Sequence, residues 1–146
     1  MKIDGRCFCG SVRYEAEVNP ASATICHCTD CQGHSGAAYG VVVGIVDEKF
    51  SLLSGKLATY EKIADSGSVR ALTFCPECGT RIYAKTVGEG LSFFGLRVGT
   101  VRQRDQLKPK RQVWCRSAQD WVGDIRSIPK FEEQPAQEVI FQKKEI

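Results

Sequence analysis

The chain of 146 residues predicts a mainly β domain, and three observations predict it. Short segments rich in valine, tyrosine and phenylalanine recur at near-regular spacing, each closed by glycine, serine or aspartate turn chemistry. Helical periodicity is scarce. Seven of the eight cysteines fall into three tight clusters: Cys7-Phe8-Cys9-Gly10, Cys26-His27-Cys28-Thr29-Asp30-Cys31 and Cys75-Pro76-Glu77-Cys78-Gly79. Their spacing suits metal ions better than disulfides, because the neighbours in Cys-x-Cys bridge each other poorly but can turn towards one ion. A sandwich or curled sheet is expected, not a parallel α/β fold.

The first strand is read from Val12, Tyr14, Ala16 and Val18, which alternate with polar residues as a half-buried strand does. Valine-rich Ala37–Val46 follows as a central strand. Phe50–Leu53, Leu57–Lys62, Val69–Phe74, Arg81–Thr86 and Leu91–Val98 are further strands, punctuated by Ser54-Gly55, Asp65-Ser66-Gly67 and Gly88-Glu89-Gly90. One short helix is expected from about Cys28 to His34, and a second turn at Ser117–Trp121 capped by Ser117. Beyond Ile128 the chain becomes polar and charged; Phe131 and Val139-Ile140-Phe141 either dock as an edge strand or the terminus frays. The expected division is a domain over 1–124 with a C-terminal extension over 125–146.

Composition narrows the function classes. Hydrophobic content of 42% and charged content of 25% are ordinary for a globular protein. A net charge of +3 is mild and says little about nucleic acid, because a dedicated binder usually shows a stronger imbalance or a clear basic face. No secretory leader is expected, since no basic segment followed by an apolar core and a small-residue cleavage site opens the sequence, and Ala37–Val46, the longest apolar stretch, is far short of the ~18–20 residues that span a bilayer. A cytoplasmic protein is expected, and a reducing cytosol favours metal ligation over disulfides. Nothing in the sequence sets the oligomeric state.

Counted as zinc ligands, the seven cysteines divide into four and three. Cys7, Cys9, Cys75 and Cys78 make a closed, structural set, since zinc takes four thiolates at about 2.3 Å in a tetrahedron. An internal echo supports this pairing: Cys9-Gly10-Ser11-Val12-Arg13-Tyr14 and Cys78-Gly79-Thr80-Arg81-Ile82-Tyr83 share Cys-Gly-[Ser/Thr]-x-x-Tyr. Glycine at that position permits the left-handed backbone of a tight metal knuckle.

Cys26, Cys28 and Cys31 make the second set, with no obvious fourth ligand. His27 is expected to point away, leaving His34 and Cys115 as the side chains that could close the site into a second structural zinc. If neither does, the position is open to substrate. Three thiolates and Zn²⁺ sum to about −1, so bound water is less acidified than at a neutral-ligand site, whereas a thiol ionises far more easily. The natural incoming ligand is therefore a substrate sulfur, and the reaction makes or breaks a carbon–sulfur bond. His34 is a candidate proton shuttle; Asp30 and Glu77 receive no chemistry.

Taken together, Cys7-x-Cys9-Gly10, Cys26-His27-Cys28-x-x-Cys31 with Ser35-Gly36-Ala37, and Phe74-Cys75-x-x-Cys78-Gly79 resemble the glutathione-dependent formaldehyde-activating enzyme family, which includes the centromere protein V group. The likeness covers roughly residues 3 to 122, with Gly99-Thr100-Val101 and Ser117-Ala118-x-x-Trp121 similar to weaker later motifs. It implies folded-over antiparallel sheets like those of the small Rab-interacting zinc proteins. It further implies a structural zinc on Cys7, Cys9, Cys75 and Cys78 and a catalytic, more labile zinc on Cys26, Cys28 and Cys31. The implied activity is that of a carbon–sulfur lyase, adding glutathione to formaldehyde to give S-hydroxymethylglutathione. The chain departs from the pattern at Arg102-Gln103, where acidic residues are common, at Gln112-Val113, where a histidine is common, and at the extra Cys115.

Other features carry two readings. Arg102, Arg104, Lys108, Lys110 and Arg111 form a basic loop that either holds substrate carboxylates or phosphates, or is merely solvated. Trp114 and Trp121 either wall the open site or belong to the core. Adjacent Phe93 and Phe94 face opposite ways on a strand, so at least one is expected in the core. The competing functions are a non-catalytic interaction module for protein or nucleic acid, and a redox or metal-storage role for Cys26–Cys31.

Overall fold

A computed structural model describes residues 1–64, 67–88 and 94–136. The mainly β expectation holds: eight strands form one sheet in the order β1-β2-β3-β7-β6-β5-β4, all antiparallel, with β8 added parallel to β2. The strands are β1 (Lys2–Arg6), β2 (Arg13–Cys26), β3 (Gly40–Ser54), β4 (Ala58–Ile63), β5 (Val69–Phe74), β6 (Arg81–Val87), β7 (Phe94–Arg97) and β8 (Arg111–Val113). One helix, α1, covers Thr29–Ser35.

The alternation in β2 works as read: Tyr14, Ala16 and Val18 are buried, while Arg13 and Glu15 face solvent. They meet Ile3 of β1, which pairs with Ala16, and join Val43, Ile82, Leu96, Val98, Val101 and Leu107 in the core. Beside the core Phe50 stacks on Tyr14 with centroids 5.2 Å apart and meets Tyr83 edge-on at 5.0 Å, and Phe94 closes the cluster 4.8 Å from Tyr83. Offset and edge-to-face geometries of this kind add to the burial energy. Phe94 thus belongs to the core margin; its neighbour Phe93 lies outside the described residues, as do Asp65-Ser66, Glu89-Gly90, the first residues expected in the strand from Leu91, and Val139-Ile140-Phe141.

Several expectations are corrected. The separate strands Ala37–Val46 and Phe50–Leu53 are one strand, β3, which begins only at Gly40. Asp47 and Glu48 take φ of 48° and 54°, and the pairing jumps from Ala16–Phe50 to Val18–Ile45 across them, so the break read in the sequence is a bulge. The strand starting near Val12 runs on to Cys26, with a second irregularity where Ser22 Oγ accepts from the Gly44 amide at 2.7 Å. Ser117 is not a cap: it ends a 3-10 turn over Cys115–Ser117 and its Oγ donates back to Trp114 O at 3.1 Å. A further 3-10 stretch covers Asp120–Ser127. Trp114, Trp121 and Phe131 are each about half exposed, so none is a core residue.

Candidate metal centres

The four-cysteine set assembles from two matching knuckles. In the first, the Cys7 amide donates to Val12 O at 3.0 Å and the Gly10 amide to Cys7 O at 3.2 Å. In the second, the Cys75 amide donates to Thr80 O at 2.9 Å and the Gly79 amide to Cys75 O at 2.9 Å. Gly10 and Gly79 both sit in the left-handed region, at φ 81° and 71°, which is what the echoed Cys-Gly motif predicts. The knuckles interlock through the Phe8 amide, which donates to Thr80 Oγ1 at 3.0 Å.

All four sulfurs lie within 4.8 Å of one another, with Cys7 and Cys9 3.5 Å apart and Cys9 and Cys75 3.9 Å apart. Four sulfurs about 2.3 Å from one ion in a tetrahedron are separated by about 3.8 Å, so the set fits zinc. Hydroxyls complete the shell: Ser11 Oγ is 3.2 Å from Cys9 Sγ and 3.4 Å from Cys75 Sγ, and Thr80 Oγ1 is 3.1 Å from Cys78 Sγ. The Thr80 contact is the first cause holding the Cys78 thiol down at about 5, favouring the thiolate a metal needs. Ser11 and Thr80 are the Ser/Thr of the echoed motif; their role was visible in the repeat but not assigned.

The three-cysteine set is built where β2 ends. Cys26 pairs with Gly40 of β3 on one side and Val113 of β8 on the other. Cys28 is the N-cap of α1, its sulfur accepting from the Cys31 amide at 3.3 Å, and Cys31 is buried in the first turn. Gln32 Nε2 donates to His27 O and to Ser117 O, each at 2.7 Å, which ties α1 to the segment after β8. The three sulfurs lie within 4.8 Å of one another, with Cys26 and Cys28 3.4 Å apart, so this set also can hold a metal ion. Cys26 donates a hydrogen bond towards Cys31, and this, followed by the nearby Arg97 guanidinium, lowers the Cys31 thiol to about 5.

Among the described residues no other histidine, cysteine or carboxylate brings a ligand atom within 4.8 Å of all three sulfurs. Cys115 is exposed elsewhere. His27 is buried, with Nε2 donating to Gln112 Oε1 at 2.8 Å. Gln112 therefore has a structural partner at the position where the sequence departs from the family pattern. Asp30 is engaged by Lys62.

A cleft of about 420 Å³ adjoins this set, lined by His34, Tyr39, Gly40, Thr80, Arg81 and Arg97 among others. Burial first, then Arg81 and Arg97, lowers His34 to about 4, so its ring is neutral at neutral pH. Arg97 Nη1 and Nη2 stand 3.7 and 3.8 Å from Cys31 Sγ. Gly40 makes that approach possible, because a Cβ there would overlap Arg97 Nη1. Neither arginine stood out in the sequence, where each simply falls within an expected strand, Arg81–Thr86 or Leu91–Val98. The expected basic loop is not one surface: Arg102 pairs with Asp4 at 2.7 Å, and Arg111, on β8, donates to Ala21 O at 2.9 Å. Trp114 and Trp121 do not line the cleft.

No helix among the described residues is long and apolar enough to cross a membrane. No curated protein sequence matches the chain. A crystal structure of a Rhodobacter sphaeroides protein, a structural-genomics target, is similar in fold, with a TM-score of 0.58 at 19% identity, covering 76% of this chain and 100% of that one. The profile of one family, described as glutathione-dependent formaldehyde-activating enzyme, matches residues 2–117, which takes in all three cysteine motifs. The chain belongs to the glutathione-dependent formaldehyde-activating enzyme family.

Proposed function

We propose that the protein is a cytoplasmic zinc enzyme of the carbon–sulfur lyase type, acting on a small thiol adduct of the S-hydroxymethylglutathione kind. One observation carries the reading: three cysteines gather within ligand distance of one another, without a fourth ligand among the described residues, beside a cleft. In this reading Cys7, Cys9, Cys75 and Cys78 hold a structural zinc and Cys26, Cys28 and Cys31 the catalytic one. Residues 1–124 form the catalytic domain and 125–146 an extension.

Zinc on the three sulfurs would supply Lewis acidity that favours a substrate sulfur as thiolate, whether it attacks a carbonyl carbon or leaves one. The chain's own residues do the rest. Cys28 and Cys31 are fixed by the first turn of α1, and Cys26 by its ladder with β3 and β8, so the three donors are pre-organised. Arg97 stabilises the Cys31 sulfur as thiolate. His34, held neutral, offers hydrogen bonding to a ligand without adding charge.

The test is metal content followed by turnover. Two zinc ions per chain and conversion of S-hydroxymethylglutathione or a related adduct, lost in Cys31→Ser, are expected. A protein with two zinc ions whose second ion is perturbed by no thiol would overturn the reading.

A further inference from the structure

Two arginines line the cleft beside the three-cysteine set, and neither has an acidic partner among the described residues. Arg97 spends Nη1 and Nη2 on Cys31 Sγ, and its Nε is enclosed without an acceptor. Arg81 has both Nε and Nη1 enclosed without one. Asp30, a carboxylate whose field reaches Arg81, is already engaged by Lys62. Buried guanidinium donors left unpaired are costly, and both arginines line the cleft, so a small swing of either side chain onto a ligand there would pair them.

Charge points the same way. Burial, and after it Arg97, lowers Arg81 to about 10, so it remains a cation at neutral pH. Three thiolates with a divalent ion sum to about −1 and the two guanidiniums to about +2, which leaves about one positive charge to be met by the carboxylate of an adduct whose own sulfur is still uncharged. A monoanion meets that count better than a phosphate dianion. A planar carboxylate also matches the guanidinium fork, which a sulfur already shared with a metal does not. Two cations of the basic loop are engaged elsewhere, Arg102 on Asp4 and Arg111 on Ala21 O.

We propose that the cleft is a carboxylate subsite formed by Arg81 and Arg97, and that the substrate is a thiol adduct carrying a carboxylate a few bonds from its sulfur. The short reach follows from Gly40, whose absent side chain lets Arg97 lie against Cys31. The proposal rests on the thiol reading above and adds a determinant of specificity to it.

The experiment is calorimetric titration of the zinc-loaded protein with 3-mercaptopropionate, with the neutral 3-mercapto-1-propanol, and with propionate. Wild type is expected to bind the acid at least about tenfold more tightly than the alcohol, the scale of one charge-assisted pair. In Arg81→Gln that ratio falls to about one while affinity for the alcohol is unchanged; circular dichroism confirms the fold. Equal binding of acid and alcohol by wild type overturns the proposal and needs no variant. If neither thiol binds, the thiol reading fails; the subsite then stands only if propionate binds wild type and not Arg81→Gln, and falls otherwise.

Discussion

Replacing Gly40 by alanine isolates what the Arg97–Cys31 contact does. The new Cβ would overlap Arg97 Nη1 and stand 3.4 Å from Cys31 Sγ. Carbon and nitrogen need about 3.5 Å, so the guanidinium must retreat by on the order of 1 Å. Starting from 3.7 and 3.8 Å, both N–H···S contacts then pass out of hydrogen-bonding range. A hydrogen bond to a charged group contributes about 1.5–3 kcal/mol net; partial exposure of Arg97 puts the value at the lower end. Gathering three thiolates without that cation should weaken the second metal ion by about tenfold. Because the displaced atom ends a flexible side chain, the fold itself should lose no more than about 1 kcal/mol, or about 2–4 °C in Tm. Gly33→Ala, in α1 two residues from Cys31 and with nothing within 4 Å of its Cβ, is the control and should be neutral or slightly stabilising. Competition with a chromophoric chelator reads the two ions separately. An unchanged second-ion affinity in Gly40→Ala would refute the reasoning, and so would equal loss of both ions.

The two metal sets should be separable: Cys9→Ser should cost one zinc and, at about 3 kcal/mol or more, roughly 10 °C in Tm. Cys31→Ser should cost the other zinc with little change in melting; elemental analysis and calorimetry check both. Gly5→Ala should be severe, since its Cβ would overlap the Tyr14 hydroxyl and lie 2.5 Å from Thr100 O, a backbone atom that cannot swing aside. A loss of about 3 kcal/mol, seen as a lower urea midpoint, is expected. His34 gives a pH signature. Its folded value of about 4 lies below the ordinary 6.5, so the unfolded chain binds the extra proton between these limits. Its share of stability is complete above about pH 6.5 and is lost as pH falls towards 4. The difference in urea midpoint between wild type and His34→Asn should therefore drift over that window and level off above it; a flat difference would show that the ring is not buried neutral.

The parts of this fold legible in the sequence are those with local causes. Cysteine spacing marks both clusters, the glycine after each pair marks the two knuckles of the four-cysteine set, and β5 begins and ends where the turn-bounded run Val69–Phe74 was expected. β1 escaped because Lys2–Arg6 has only Ile3 and Gly5 facing inwards, too short a pattern to register. β8 has no pattern of its own. Its strand character comes from lying parallel to Thr24–Cys26, with the Lys110 amide anchored on Ala23 O at 2.8 Å. Likewise Arg81 and Arg97 carry no local signal, and only the packing of β3, β6 and β7 brings them to one cleft. Trp114 reads as a core residue by type, yet its backbone is held at φ 59° and its ring lies under Arg116 at the surface.

Gly79 and Thr80 belong both to the second cysteine knuckle and to the wall of the cleft, and Arg81 follows directly on them. Stripping the four-cysteine ion would therefore slacken the grip on a ligand before it melted the sheet, whose ladders run elsewhere.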